Sequence, residues 1–484
     1  MSEAFQQPEM QCSLSECAHR RNVLSRRDFL RSCASCALCS LALRNSRATG
    51  SHSYHADDSF EEGTSMPTIN PDALRTKPDI IVYIPKGKRT PDAENQHFLV
   101  VPTPNRTFLA FWTQASVENH PDQRVVVSRG VFEDGRWVWS KPTVIDGQEN
   151  GNGYRASWGF PFVVPHTGRV YIFYNKHLGQ VDVREDTTGE LRFKFSDDDG
   201  RTWRGPYTLP IRKSAISNPD PNAHENWIAY QCPIILSDGS VMVGFTRWAS
   251  RAVQPEGAVF DRDSEIWFLR FDNILTETNP TKLQVTTLPD GEHGIRVPHP
   301  HRNQISVAQE PTIQCLSDGR IICIMRTLTG MIYYSLSTDF GHSWTEAKPL
   351  RFCDNGPPLL QPIAPCPLYK LRDSRFVLIF HNNDGTANGG RGPMDYKRNR
   401  RPAYICIGRE APYAKGQPII FNKPKLLMDN DGIPAGPIDR TEVATYPSLF
   451  EFEGKVYFFY PDRKHYLLGK ILDEAMLDDA GLPT

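Results

Sequence analysis

The sequence predicts an all-β chain: a single β-propeller of six or seven four-stranded antiparallel blades. Three observations lead there. Glycine (34) and proline (39) are plentiful, aromatics make up 11% of the chain, and segments with helical period are scarce. From Pro78 onward one unit recurs, an apolar strand, a tight turn and a still more apolar strand. An octet of the form S-x-D-x-G-x-[S/T]-W occurs twice, as Ser196–Trp203 and Ser337–Trp344.

Residues 1–48 read as an export signal and not as fold. Ser25-Arg26-Arg27-Asp28-Phe29-Leu30-Arg31 has the twin-arginine pattern, and a short, weakly apolar run to Leu43 leads to a small-residue cleavage site at Ser46-Arg47-Ala48. Such a signal implies a bacterial protein exported already folded, to the periplasm or beyond. Residues 49–75 are polar and featureless, a flexible linker. The propeller is expected over 76–475, with a tail at 476–484. A net charge of −1 points to neither nucleic acid nor a membrane surface as partner. A monomer is expected.

The hairpins place their turns at Pro104-Asn105, Thr167-Gly168, Asp238-Gly239, Asp318-Gly319, Asp373-Ser374 and Glu453-Gly454. Their second strands, FLAFW (108–112), VYIFY (170–174), VMVGF (241–245), IICIM (321–325), FVLIF (376–380) and VYFFY (456–460), are apolar on both faces, as strands covered on both sides must be. Outer strands are expected over 124–139, 265–271 and 403–408, and 78–85 is expected to pair with 466–472 to close the ring. Once the signal is removed, Cys232, Cys315, Cys323, Cys353, Cys366 and Cys406 remain, most simply as small core residues; the spacing fixes no disulfide.

In the octet, Ser and Asp can satisfy the turn's own amides, Gly takes positive φ, and Trp fills the gap between sheets. This octet is the Asp-box, and through it the chain resembles the sialidase superfamily of β-propellers. Asp198 and Asp339 then belong to the rim and have structural roles.

Inner strands of a propeller converge on its axis, so polar residues at their ends share one pocket. His97, Arg155, Tyr230, Glu310 and Tyr446 stand at strand starts, and His177, Arg247 and Arg326 at exits. Such a ring suits an anionic sugar. The resemblance to sialidases implies that Glu310 and Arg326, within EPTIQCLSDGRIICIMR, are a carboxylate and a substrate-gripping arginine. It also implies that Tyr446, in TYPSL ahead of Glu453-Gly454, is a nucleophile, with Arg391 as a further arginine. Where a first arginine is implied, this chain has Gln96-His97-Phe98. The loop implied to carry the acid reads Glu118-Asn119-His120-Pro121-Asp122, giving Asp122 or His120.

A second resemblance is to propeller polysaccharide lyases of the ulvan and rhamnose–glucuronate type. It matches His97 and His120, then Tyr230 and Arg247 around QCPIILSDGSVMVGFT. It implies β-elimination at a uronate, with His97 as base and Tyr230 as acid, or the two exchanged. Arg247 and Arg326 would neutralise the carboxylate and His120 would orient. The leading expectation is therefore an exported lyase acting on an acidic polysaccharide. The alternatives are a sialidase-like retaining hydrolase using Tyr446 and Glu310, removing sialic acid or rhamnose, and a non-catalytic glycan-binding propeller. No cofactor is required. His299-Pro300-His301-Arg302 resembles a metal patch, but no carboxylate or cysteine partner is evident beside it, and a structural Ca²⁺ or Zn²⁺ is left open.

Overall fold

The computed structural model of the protein describes residues 71–148 and 153–482, so the twin-arginine segment lies outside the described residues. Around each of the six apolar hairpins the strands pair antiparallel, and these units make a β-propeller. The first unit runs Glu94–Pro102, Phe108–Ala115, Arg124–Glu133 and Arg136–Trp139. The next runs Ala156–Val163, Val170–Lys176, Thr188–Ser196 and Arg204–Leu209. Two later units centre on the hairpins Gln309–Cys315/Ile321–Arg326 and Leu368–Lys370/Phe376–Phe380. Closure is as the sequence predicts: Ile80–Tyr83 pairs with Tyr466–Leu472, Ile80 opposite Gly469, and so completes the last unit with a strand from the start of the fold.

One unit departs from the regular plan. Its inner strand is broken into Glu225–Ile228 and Ile234–Ile235, both paired with Val241–Trp248. Glu225–Ile228 also pairs with Thr188–Ser196, which fuses two consecutive units into one nine-stranded sheet. Leu368–Lys370 is short for a local reason. Pro362, Pro365 and Pro367 precede it and cannot donate to a ladder.

Burial explains why the second strands are so apolar. Phe108–Ala115, Val170–Lys176, Val241–Trp248 and Phe376–Phe380 are buried at every residue. Their side chains fill the seams between neighbouring units, as where Phe173 meets Phe271 at 4.5 Å and Phe98 meets Phe459 at 6.1 Å. Each such ring contributes about 1.5–3 kcal/mol on burial.

The packed region is longer than the expected 76–475. Ala73, in the 3-10 turn Pro71–Leu74, is fully buried with Val443 and Leu468. At the other end Leu477 is buried, and Asp479 pairs with Arg409 at 2.7 Å. Single apolar residues flanked by charges give too little pattern to be read as packed. Of the six cysteines, Cys323, Cys353, Cys366 and Cys406 are buried.

Both octets form as their residues demand. Ser196 Oγ donates to Asp198 at 2.7 Å and accepts from Gly200 N at 2.8 Å, while Thr202 N donates to Asp198 at 2.8 Å. The second copy repeats these bonds at Ser337, Asp339, Gly341 and Ser343 within 2.8–2.9 Å. Trp344 then stacks on Phe268 of the preceding unit, centroids 4.4 Å apart.

Candidate active site

Where the inner strands begin, the backbone is bulged. His97, Trp158 and Glu310 each sit in a register shift between the first and second strands of their units, and each takes a left-handed conformation (φ 59°, 58° and 49°). Tyr446 (φ 62°) does the same two residues before Ser448–Phe452. This conformation is costly for bulky residues and persists only when the surroundings hold it. The hold comes from the neighbouring unit. Trp158 N donates to Thr113 Oγ1 at 3.0 Å, Glu310 N to Thr246 Oγ1 at 2.6 Å, and Phe98 N to the Tyr446 carbonyl at 3.1 Å. Bulges re-aim side chains: Trp158, Glu310 and Tyr446 are turned into one cavity, and His97 into the packing against Trp158 and Tyr446.

Trp158, Glu310 and Tyr446 line a cavity of about 290 Å³. Tyr446 Oη donates to Glu310 Oε1 at 2.8 Å, and the other oxygen of that carboxylate lies 2.7 Å from Arg326 Nη1. Gln309 Oε1 accepts from Arg326 Nη2 at 2.9 Å and fixes the guanidinium from behind. Burial, then Glu310, raise the Tyr446 hydroxyl above its ordinary value, so it is a protonated donor in the empty site.

Opposite stands a dense ionic wall. Arg440 bridges three carboxylates: Glu94 at 3.1 Å, Glu442 at 3.1 Å and Glu118 at 2.6 Å. Glu442 also holds Arg400 at 2.9 Å, and Lys464 Nζ lies 2.9 Å from Glu118 and 5.3 Å from the centre of the Tyr446 ring. Arg184 reaches Glu118 at 3.5 Å and also pairs with Asp186. Burial alone would raise the Glu118 carboxyl, but Lys464, Arg440 and Arg184 outweigh it and hold it well below the usual carboxylate range. Glu94 goes the other way: burial, only partly offset by Arg440, pushes it up to about 7. Ile228, Trp248, Val259 and Phe260 form an apolar face beside this wall. The arrangement sets a tyrosine hydroxyl on a carboxylate, beside a cluster of cations and an apolar face.

Of the residues singled out in the sequence, Tyr446, Glu310 and Arg326 are brought together here. His97 and Tyr230 are fully buried outside the cavity lining, their rings packed on Tyr446 at 6.3 and 5.8 Å; burial pushes the His97 imidazole down to about 3. Tyr230 shares a hydrogen bond with Thr312 at 2.7 Å. Arg247, also fully buried, lies 3.2 Å from Glu225 and over the Trp267 ring at 4.5 Å. Arg391 is exposed, and buried His177 bonds the Thr188 carbonyl at 3.1 Å. His120 is half exposed and pairs with Asp122 at 2.8 Å, while Asp122 accepts from Ser116 N at 3.1 Å. Neither is among the lining residues; Glu118 and Asn119 of the same loop are. Arg155 stands behind that loop, donating to the carbonyls of Asn119 and His120 at 3.2 and 3.1 Å.

Sequence reasoning missed Glu118, Arg184, Arg400, Arg440 and Lys464. Lys464 had a signal: Asp462-Arg463-Lys464-His465 at the exit of the last hairpin is as polar as the other exits. The others lie in loops whose reach the chain pattern does not encode. Among the described residues, no group of three or more His, Cys, Asp or Glu is placed to hold a metal ion; His299 instead bonds Asp261 at 2.8 Å.

A family model described as a BNR repeat-like domain matches residues 106–457. No curated protein matches the chain. Among solved structures, a protein of unknown function from Dyadobacter fermentans aligns at 13% identity and TM-score 0.53, covering 82% of this chain and 98% of that one. A Hadza microbial sialidase aligns at 16% identity and TM-score 0.52, covering 81% and 68%. A leech intramolecular trans-sialidase complexed with 2,7-anhydro-Neu5Ac aligns at 12% and 0.53, covering 83% and 71%. Identities this low speak for the fold alone. The chain belongs to the BNR repeat-like family and has a sialidase-like β-propeller fold.

Proposed function

We propose that the protein is a carbohydrate-active enzyme of the sialidase type, a retaining glycosidase that removes an anionic sugar. The observation that carries this reading is the 2.8 Å hydrogen bond from Tyr446 Oη to Glu310 in the cavity, with Arg326 on the same carboxylate. As Tyr446 attacks the anomeric carbon, its proton passes along that bond to Glu310, so a free phenolate is never required. Arg326 keeps the carboxylate aimed, and Lys464 and Arg440 give an anionic substituent its cations. Protonation of the leaving oxygen falls to Glu118, the other carboxylate that lines the cavity. The fold shared with the sialidase and the trans-sialidase supports the same reading at the level of architecture.

The elimination reading needs His97 and Tyr230 against the substrate, and both are fully buried outside the cavity lining. The geometry therefore favours hydrolysis or intramolecular transfer over β-elimination. The test is to incubate the protein with α-sialosides and with capped uronate oligosaccharides, following sugar release and the ultraviolet absorbance of a new C4=C5 bond. Release without absorbance, abolished in Tyr446→Phe, is expected. An absorbance rise lost in His97→Ala but kept in Tyr446→Phe would overturn the proposal.

A further inference from the structure

Every cation of the cavity wall already has a carboxylate partner. Arg184, Arg400, Arg440 and Lys464 face Glu94, Glu118, Glu442 and Asp186, and Arg326 is matched by Glu310. These groups come from loops of several units and are almost all removed from water. An anion that takes the donors of one of these carboxylates leaves that carboxylate buried without its cations, which is costly unless it takes up a proton. Glu118 lines the cavity, with one oxygen accepting from both Arg440 Nη2 (2.6 Å) and Lys464 Nζ (2.9 Å), the latter over the Tyr446 ring. It thus holds the donors that an entering anionic group would need.

We propose that Glu118 is an internal counter-ion, displaced from Lys464 and Arg440 by the anionic group of the sugar, so that binding moves one proton from solvent onto Glu118. This rests on the reading of the cavity as an anionic-sugar site. It also answers a difficulty of that reading, because a carboxylate held ionised by three cations is no acid. The substrate's own charge loads it, and the proton is then beside the bond to be broken. The groups that face Glu118 are Lys464 from the exit of the last hairpin, Arg440 from the loop before Tyr446 and Arg184 from the loop before Thr188–Ser196. Glu94, Glu442 and Asp186 lie behind these cations, and Tyr446 lies beneath Lys464.

The experiment is calorimetric titration of the full chain with free N-acetylneuraminate and free glucuronate, in buffers of different ionisation enthalpy. It is run at about pH 5.5, where Glu94, with its value near 7, already carries its proton. Uptake of about one proton per sugar is expected, with affinity rising up to tenfold for each pH unit of acidification. In Glu118→Gln both effects disappear and the sugar binds more tightly; in Glu94→Gln the uptake at this pH persists. Binding without proton uptake, or uptake kept in Glu118→Gln and lost in Glu94→Gln, overturns the proposal. The pH dependence of wild-type affinity decides the matter independently if Glu118→Gln fails to fold. Failure of both sugars to bind overturns it too; Tyr446-dependent sugar release in the same preparation would then leave the enzyme reading standing alone.

Discussion

The rim and the axis of this propeller solve the same backbone problem in opposite ways. At the rim the chain turns left-handed at Asp199-Gly200 and Phe340-Gly341, and the side chains that hold each turn belong to the same octet. At the axis His97, Trp158, Glu310 and Tyr446 turn left-handed, and the groups that hold them come from a neighbouring unit. The rim turn ends in a glycine, for which positive φ costs little, while the axis residues are large and have no such glycine beside them. At the axis the support of the strained residue is non-local. A rim turn should tolerate change with a local penalty, whereas an axial one should couple chemistry to a neighbour's packing.

The sharpest test of that contrast is Tyr446→Phe, which removes the hydroxyl and leaves the ring in its packing. Activity should fall by about 10³-fold or more, with little change in unfolding temperature, since only one buried hydrogen bond to Glu310 is lost. Steady-state kinetics beside a melting curve will show it. A large loss of stability would mean that the axis is built for packing and not for chemistry.

Next is Thr246→Val, which touches no substrate but strips the acceptor from Glu310 N. A buried amide left unsatisfied costs about 1–3 kcal/mol. Catalytic rate should drop along with stability, because Glu310 loses its aim. A denaturant titration paired with kcat separates this from a rim mutation, which should lower stability alone.

His97 offers a pH test. Burial holds its folded value near 3, below the ordinary 6.5, so the unfolded chain binds the extra proton. The sign follows: the neutral form is compatible with folding above about pH 6.5, and stability falls as the pH drops below that value. At pH 5 the cost is about 2 kcal/mol. Denaturant unfolding of His97→Gln at pH 7 and pH 5 should show the acid loss reduced by about that amount; an unchanged loss would place the acid sensitivity elsewhere.

The smallest effect is expected at the rim. Ser337→Ala removes the hydroxyl that bonds Asp339 and Gly341 N, and should cost about 1 kcal/mol with kcat per folded molecule unaltered. A change in kcat there would blur the distinction between the two regions.

Legibility followed the same division. The octets, the six hairpins and the closing strand were readable because their signals lie in contiguous residues, as in Ser317-Asp318-Gly319 between two apolar runs. Tyr446, Glu310 and Arg326 were readable through the resemblance to sialidases, each beside a hairpin. His97, Tyr230 and Arg247 flank hairpins too, yet they are fully buried away from the cavity lining. A strand-end position alone does not say whether a bulge turns its side chain into the pocket or into the packing. Glu118 stands in the loop implied to carry an acid, but nothing local says that it, and not Asp122 or His120, enters the cavity; Arg440 carried no local signal, since its pairing crosses from residue 118 to residue 440.

The sequence by itself determined the architecture, the turn chemistry of the rim and the hydroxyl–carboxylate–guanidinium group at the axis. Periodicity, glycine placement and hairpin spacing are short-range properties that survive in one dimension. Only the tertiary structure decided which strand-end residues reach the cavity and which loops complete it. It also decided that Glu118 stands on three cations gathered from three separate parts of the chain. Those outcomes depend on bulges fixed by neighbouring units and on charges that meet only when the ring closes.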